Sequence, residues 1–117
     1  MISSLQIGKV IYTLLDVDFI HKVVGNKIYP LIADATTTYP FIMYRRTGLI
    51  PENNKDYTNE SVLCEVFVIA DNYKESVELA ELVRKALEHK SGLISGIDVE
   101  DIILEDCSEE YIDNSFL

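Results

Sequence analysis

Apolar positions along the chain fall into two spacings, one helical and one alternating. Ile7, Val10, Ile11 and Leu14 recur every three or four residues, which marks one face of an α-helix, and Ser3 or Ser4 can cap its start. Asp16 and Asp18 interrupt the stripe and suit the N-cap of a second, short helix over residues 19–24. Gly25-Asn26 is a fitting stop for it, because both residues tolerate the left-handed conformation that ends helices. A brief strand is expected over residues 27–31, with Pro30 suiting a sheet edge or exit. After the polar connector at 34–38, Tyr39-Pro40 favours an extended backbone leading into a strand over 41–46.

The strongest strand signal covers residues 60–70. Val62, Cys64, Val66, Val68 and Ala70 form one apolar face, while Leu63, Phe67 and Ile69 make most of the other, broken by Glu65. A strand apolar on both faces is expected to be central, with helices on one side and a second layer or a partner on the other. Asp71 or Asn72 caps a long helix over 73–90, its buried stripe read as Val77, Ala80, Val83, Ala86 and Leu87. Gly92 is read as its stop. The final strand is expected over 97–106, with a bulge near Glu100-Asp101 to reconcile the two phases of its apolar residues. Residues 49–59, which include Pro51, Asn53, Asn54 and Tyr57, read as a turn-rich loop of about 10 residues; loops of that length are usually functional or mobile.

These elements predict an α+β fold. The expectation is a two-layer sandwich with a mostly antiparallel sheet of about four strands and two main helices on one face. With 117 residues the chain suits one domain. Its 48% hydrophobic and 26% charged residues match globular composition and argue against disorder. No apolar run reaches the ~18–20 residues of a membrane span, and the first residues lack signal-peptide features. A soluble protein made in a cytoplasm is expected.

Charge changes the picture more than composition does. Residues 1–90 carry 12 acidic and 10 basic side chains, a balance of −2, whereas residues 91–117 carry eight acidic and no basic ones. Asp98, Glu100, Asp101, Glu105 and Asp106 would repel phosphate within the ~8–10 Å Debye length, so direct nucleic-acid binding is not expected. They form either a solvated acidic edge or a face that meets a partner. Arg45-Arg46 is an adjacent basic pair, read as charges meeting nearby carboxylates or another subunit's acidic face.

Candidate chemistry is sparse. Cys64 and Cys107 have no metal or redox spacing, and His21 and His89 each have a local helical explanation, His89 through the dipole at its helix end. No phosphate-cradling, metalloprotease or nucleophile-elbow motif occurs, and the C-terminal acids do not follow the calcium-loop spacing. No enzyme activity, cofactor or metal is expected. Were there an activity, Cys64, Tyr44 or a carboxylate pair would be its actors.

A family resemblance lies in the segment Asn26-Lys27-Ile28-Tyr29-Pro30, a nine-residue connector, and then Pro40-Phe41-Ile42-Met43-Tyr44. With the Leu14-Leu15 pair before it and the helix opening at residues 71–87, it resembles the tail-completion, or tail-terminator-like, family of long-tailed phages and prophages. The resemblance spans roughly residues 5–105. It implies an α+β sandwich with no catalytic residues. It also implies a place in the virion tail, commonly as a hexameric ring that closes the tail tube and joins it to the head connector. Such relatives usually continue into one more strand, whereas this chain stops at Phe116-Leu117. The implied partners are other copies of the chain, tail-tube proteins and head-connector proteins, with no membrane. Arg45, Arg46, Pro51, Asn53, Asn54 and Tyr57 are the candidate subunit contacts. Asp98, Glu100, Asp101, Glu105 and Asp106 are candidates for a partner face or for a lumen through which DNA slides without sticking. The competing reading is a host adaptor or regulatory module that binds a basic protein through its acidic C-terminal segment.

Overall fold

Three helices pack on one face of a three-stranded sheet. The computed structural model describes residues 4–33, 36–53, 58–105, 107–109, 111–112 and 115–116. Helix α1 (Ile7–Leu15) follows a 3₁₀ turn at Ser4–Gln6, so Gln6 rather than a serine occupies the cap position; Ser3 lies outside the described residues. Helix α2 (Asp18–Val24) has Val17 at its cap position, which corrects the expected aspartate caps. Asp18 instead stands in the first turn, where a carboxylate favours the helix dipole. Gly25 ends α2 with φ 65°, its N–H donating to the His21 carbonyl at 2.9 Å. That conformation suits a residue without Cβ.

The sheet is ordered β1 (Ile28–Pro30), β2 (Phe41–Asn53) and β3 (Thr58–Ile69). β1 runs parallel to β2 with Ile28 opposite Ile42, and β2 pairs antiparallel with β3 from Phe41–Ile69 out to Asn53–Thr58. The expected loop over 49–59 is therefore corrected at both ends: residues 49–53 and 58–59 extend the ladder, and 54–57 lie outside the described residues. The sequence hid these strands because alternation is imposed by a core on one face, and neither Leu49 nor Ile50 belongs to that core. Its hairpin members are Ile42, Tyr44, Val66 and Val68.

Those residues meet Ile11 and Leu15 of α1 and Ile20 and Val24 of α2. From helix α3 (Tyr73–Leu87) they meet Leu79, Val83, Ala86 and Leu87. Leu15, Ile20, Ile42 and Leu79 are completely buried. All helices thus cover one sheet face, as the α+β sandwich requires. Two expectations about α3 need correction: Leu79 rather than Val77 faces the core, and the helix ends at Leu87 before Gly92. His89, with φ 61°, turns the chain instead, its N–H donating to the Ile102 carbonyl at 2.8 Å.

The last strand is also shorter than expected and does not join the main sheet. β4 (Gly92–Ile94) and β5 (Ile97–Val99) form a small separate hairpin, and residues 100–105 have no regular structure. The strand expected to run on through a bulge at Glu100-Asp101 thus ends at Val99, and a separate bulge occurs in β2, where Arg46 pairs with Cys64 but Gly48 pairs with Leu63, leaving Thr47 as the extra residue. A two-residue ladder, β6 (Tyr111–Ile112) with β7 (Ser115–Phe116), touches β3.

Candidate assembly surface

The β2–β3 hairpin dominates the shape. Twelve or thirteen residues at the ordinary ~3.3 Å rise extend about 40 Å, against overall dimensions of 51 × 26 × 25 Å. The part nearest the helices is buried on one face, and the part beyond Thr47 forms a two-stranded arm. At the bulge the Thr47 hydroxyl donates to the Leu63 carbonyl at 3.1 Å. The extra residue also reverses the alternation of β2. Ile42 and Tyr44 face the helices before it, whereas beyond it Leu49, opposite Val62, takes that side and Ile50 takes the other. Ile50 is 53% exposed and Leu63 37% exposed, diagonal neighbours on the helix-free face.

Nearer the body, that same face carries aromatic and cationic side chains. Phe41 stacks with Tyr39, centroids 5.9 Å apart, and meets the edge of Tyr29 at 6.4 Å. The Thr37 hydroxyl donates to the Tyr29 oxygen at 3.0 Å, and Lys27 Nζ donates to the Thr38 carbonyl at 3.0 Å. These bonds tie the return connection from β1 to β2 against the sheet. Arg45 pairs with the Glu65 carboxylate directly across the ladder at 2.9 Å, and its guanidinium lies 5.5 Å from the Phe67 ring centre. Tyrosine, phenylalanine and arginine on a pre-ordered surface make up a composition enriched at protein interfaces.

The sequence-predicted site residues are dispersed rather than gathered. Arg45 and Arg46 sit in mid-strand and point to opposite sheet faces. Arg46 Nη1 donates to the Leu5 carbonyl at 2.7 Å, joining the strand to the 3₁₀ turn before α1. Pro51 and Asn53 fall within β2, while Asn54, Tyr57 and Asp106 lie outside the described residues. Asp98 is exposed on β5, and Glu100, Asp101 and Glu105 are exposed in the irregular segment that follows. Asp101 turns back on the chain: its Oδ1 accepts the Ile102 N–H at 2.9 Å and stands 3.4 Å from His89 Nδ1. The acidic residues therefore do not share one strand face.

Two of the groups named as fallback catalytic actors, Cys64 and Tyr44, are shifted away from their ionised forms. Burial pushes the Cys64 thiol up, only partly offset by nearby Arg46, and so disfavours the reactive thiolate. Burial also raises the Tyr44 hydroxyl, helped by Tyr12. Among the described residues no three His, Cys, Asp or Glu side chains form a metal-ligating group, and no helix is long and apolar enough to cross a membrane. What sequence reasoning missed is the arm itself and the outward aliphatic pair Leu31 and Ile32, which are 72% and 80% exposed. Comparison with known protein families, curated proteins and solved structures finds no match for this chain.

Proposed function

We propose that this chain is a structural protein of a phage or prophage tail, which caps the tail tube and joins it to the head connector as an oligomeric ring. The observation that carries this reading is the two-stranded arm. A ribbon that leaves the core keeps Ile50 and Leu63 partly exposed, and a neighbouring protein would bury the apolar surface that remains. The aromatic and arginine face of the same hairpin continues toward the body, so one contact can run along its length. Among the described residues no strand pairs with the outer edge of the 12-residue β3, which leaves backbone donors and acceptors for a partner. The family resemblance supplies the identity of the partners: further copies, the tube protein and the connector protein.

The charge is compatible with the task. A net charge of −10 disfavours adhesion to DNA, so a ring of such subunits would let DNA pass. The test is genetic. Capsid, connector and tail-tube genes are expected beside this one, and its disruption should leave heads and tails that do not join. A gene set among host regulatory genes, or normal virions after disruption, would overturn the reading in favour of an adaptor.

A further inference from the structure

A cleft of about 220 Å³ lies between the start of α1 and the end of β1, with Leu5, Ile7, Pro30, Leu31 and Arg46 among its walls. Leu31 has φ 65°, a left-handed conformation in which its Cβ crowds the backbone and which glycine adopts freely. Its N–H donates to the Tyr44 carbonyl at 2.8 Å, which holds it there. The strain gains no burial within the chain, because Leu31 and Ile32 both point outward and Leu5 beside them is 57% exposed. Strained residues held outward by a rigid frame concentrate where a partner binds. Arg46 adds a positive charge that donates to the neutral Leu5 carbonyl; among the described residues no carboxylate forms an ion pair with it.

The complementary surface occurs in the same chain. Residues 100–105 are pinned through Ile102, whose N–H bonds to Asp101 and whose carbonyl accepts from His89, while its side chain packs on the core. Beyond that anchor Ile103 is 68% exposed and Leu104 45% exposed, flanked by the exposed carboxylates of Glu100 and Glu105. One surface therefore presents aliphatic side chains beside a cation, and the other presents aliphatic side chains between anions. We propose that residues 100–105 of one copy dock in the Leu5–Leu31–Arg46 cleft of a second copy. This rests on the assembly reading above and names the contact between its subunits. Because the two surfaces differ, the contact is head-to-tail and repeats until the rotation per subunit closes a ring. For copies that each carry −10, general repulsion leaves this positive-to-negative contact to set the register.

The full chain is followed by sedimentation over a range of protein and salt concentrations. The natural sequence should self-associate, less so as salt rises. Arg46→Glu alone and Glu100→Lys with Glu105→Lys should each weaken association by about tenfold or more, since each sets like charges against each other. An equimolar mixture of those two variants should regain it, because every reversed cleft then meets a reversed segment. Leu31→Gly separates docking from folding: its thermal midpoint should hold or rise as the strain is relieved, while association falls. A chain that stays monomeric throughout, variants that associate like the natural protein, or a mixture without rescue would overturn the proposal. So would a Glu100→Lys, Glu105→Lys chain that assembles normally but impedes DNA passage, the outcome expected if the acids line a lumen. Association that ignores all these substitutions removes this contact and leaves the tail reading standing, which is decided by gene location and virion phenotype.

Discussion

His21 donates through Nε2 to the Asp16 carboxylate while its Nδ1 faces the Gly25 carbonyl. A carboxylate and a carbonyl can only accept, so this arrangement favours the doubly protonated, cationic ring. The ring thereby joins the residues on either side of α2, which lacks a side-chain cap among the described residues.

These contacts set a pH dependence. The Asp16 hydrogen bond, then the Gly25 carbonyl, and more weakly the charges of Asp16 and Asp18 raise the His21 pKa above its ordinary 6.5, against a smaller opposing effect of burial. A folded-state pKa above the unfolded value means the contribution is fully present below pH 6.5 and is lost as pH rises through the raised value. Thermal midpoints measured from mildly acidic to mildly alkaline pH should decline across that window, and His21→Gln should flatten the decline. An unchanged slope in the variant would show that another group is responsible. The partly exposed ring keeps the effect small.

Asn72 is the helix cap that sequence and structure agree on. Its Oδ1 accepts the Glu75 N–H at 2.8 Å, three residues into α3, in the arrangement expected of a cap followed by a glutamate. Asn72→Ala should lower stability by about 1 kcal/mol, and Asn72→Ser should recover most of it. Denaturant unfolding of both variants checks the pair, and equal losses would mean that the cap bond contributes little.

Leu79 and Val77 give a sharper contrast within the same helix. Leu79 is wholly buried, whereas Val77 is 39% exposed. Leu79→Ala should cost about 2–5 kcal/mol through lost burial and the cavity left behind, and Val77→Ala should stay within about 0.5 kcal/mol. Comparable losses in denaturant unfolding would contradict the observed helix phase.

The misreading of that phase illustrates what the sequence conveys. Val83, Ala86 and Leu87 were legible because either phase includes them. Earlier in the helix, Val77 and Ala80 compete with Ser76 and Leu79, and a serine argues against burial. The structure resolves this locally: the Ser76 hydroxyl donates to the Tyr73 carbonyl at 2.7 Å, so it can enter the interior with its polar group satisfied. The α+β class and the hairpin were legible because the core imposes periodicity on the residues that touch it. The arm beyond Thr47 was not, since Leu49, Ile50 and Leu63 lie outside the core and Pro51 reads as a break. The outward Leu31 was hidden for a different reason. Its backbone conformation is one that sequence announces only through glycine or asparagine.

The arm supplies the last prediction, one that separates its role from that of the cleft. Ile50→Lys together with Leu63→Glu replaces the exposed diagonal pair with opposite charges, which keeps a favourable cross-strand contact. The substitution should change stability by less than about 1 kcal/mol, because neither side chain belongs to the core. Self-association through the cleft should persist, since Ile50 and Leu63 are not among its walls. Tail completion should nevertheless fail if the arm is the surface that grips the tube or connector. The check is complementation of a disrupted gene, with virions counted by electron microscopy and the variant's sedimentation measured in parallel. A variant that restores normal virions would show that the arm's apolar surface is not the contact. One that loses self-association as well would place the arm within the subunit interface.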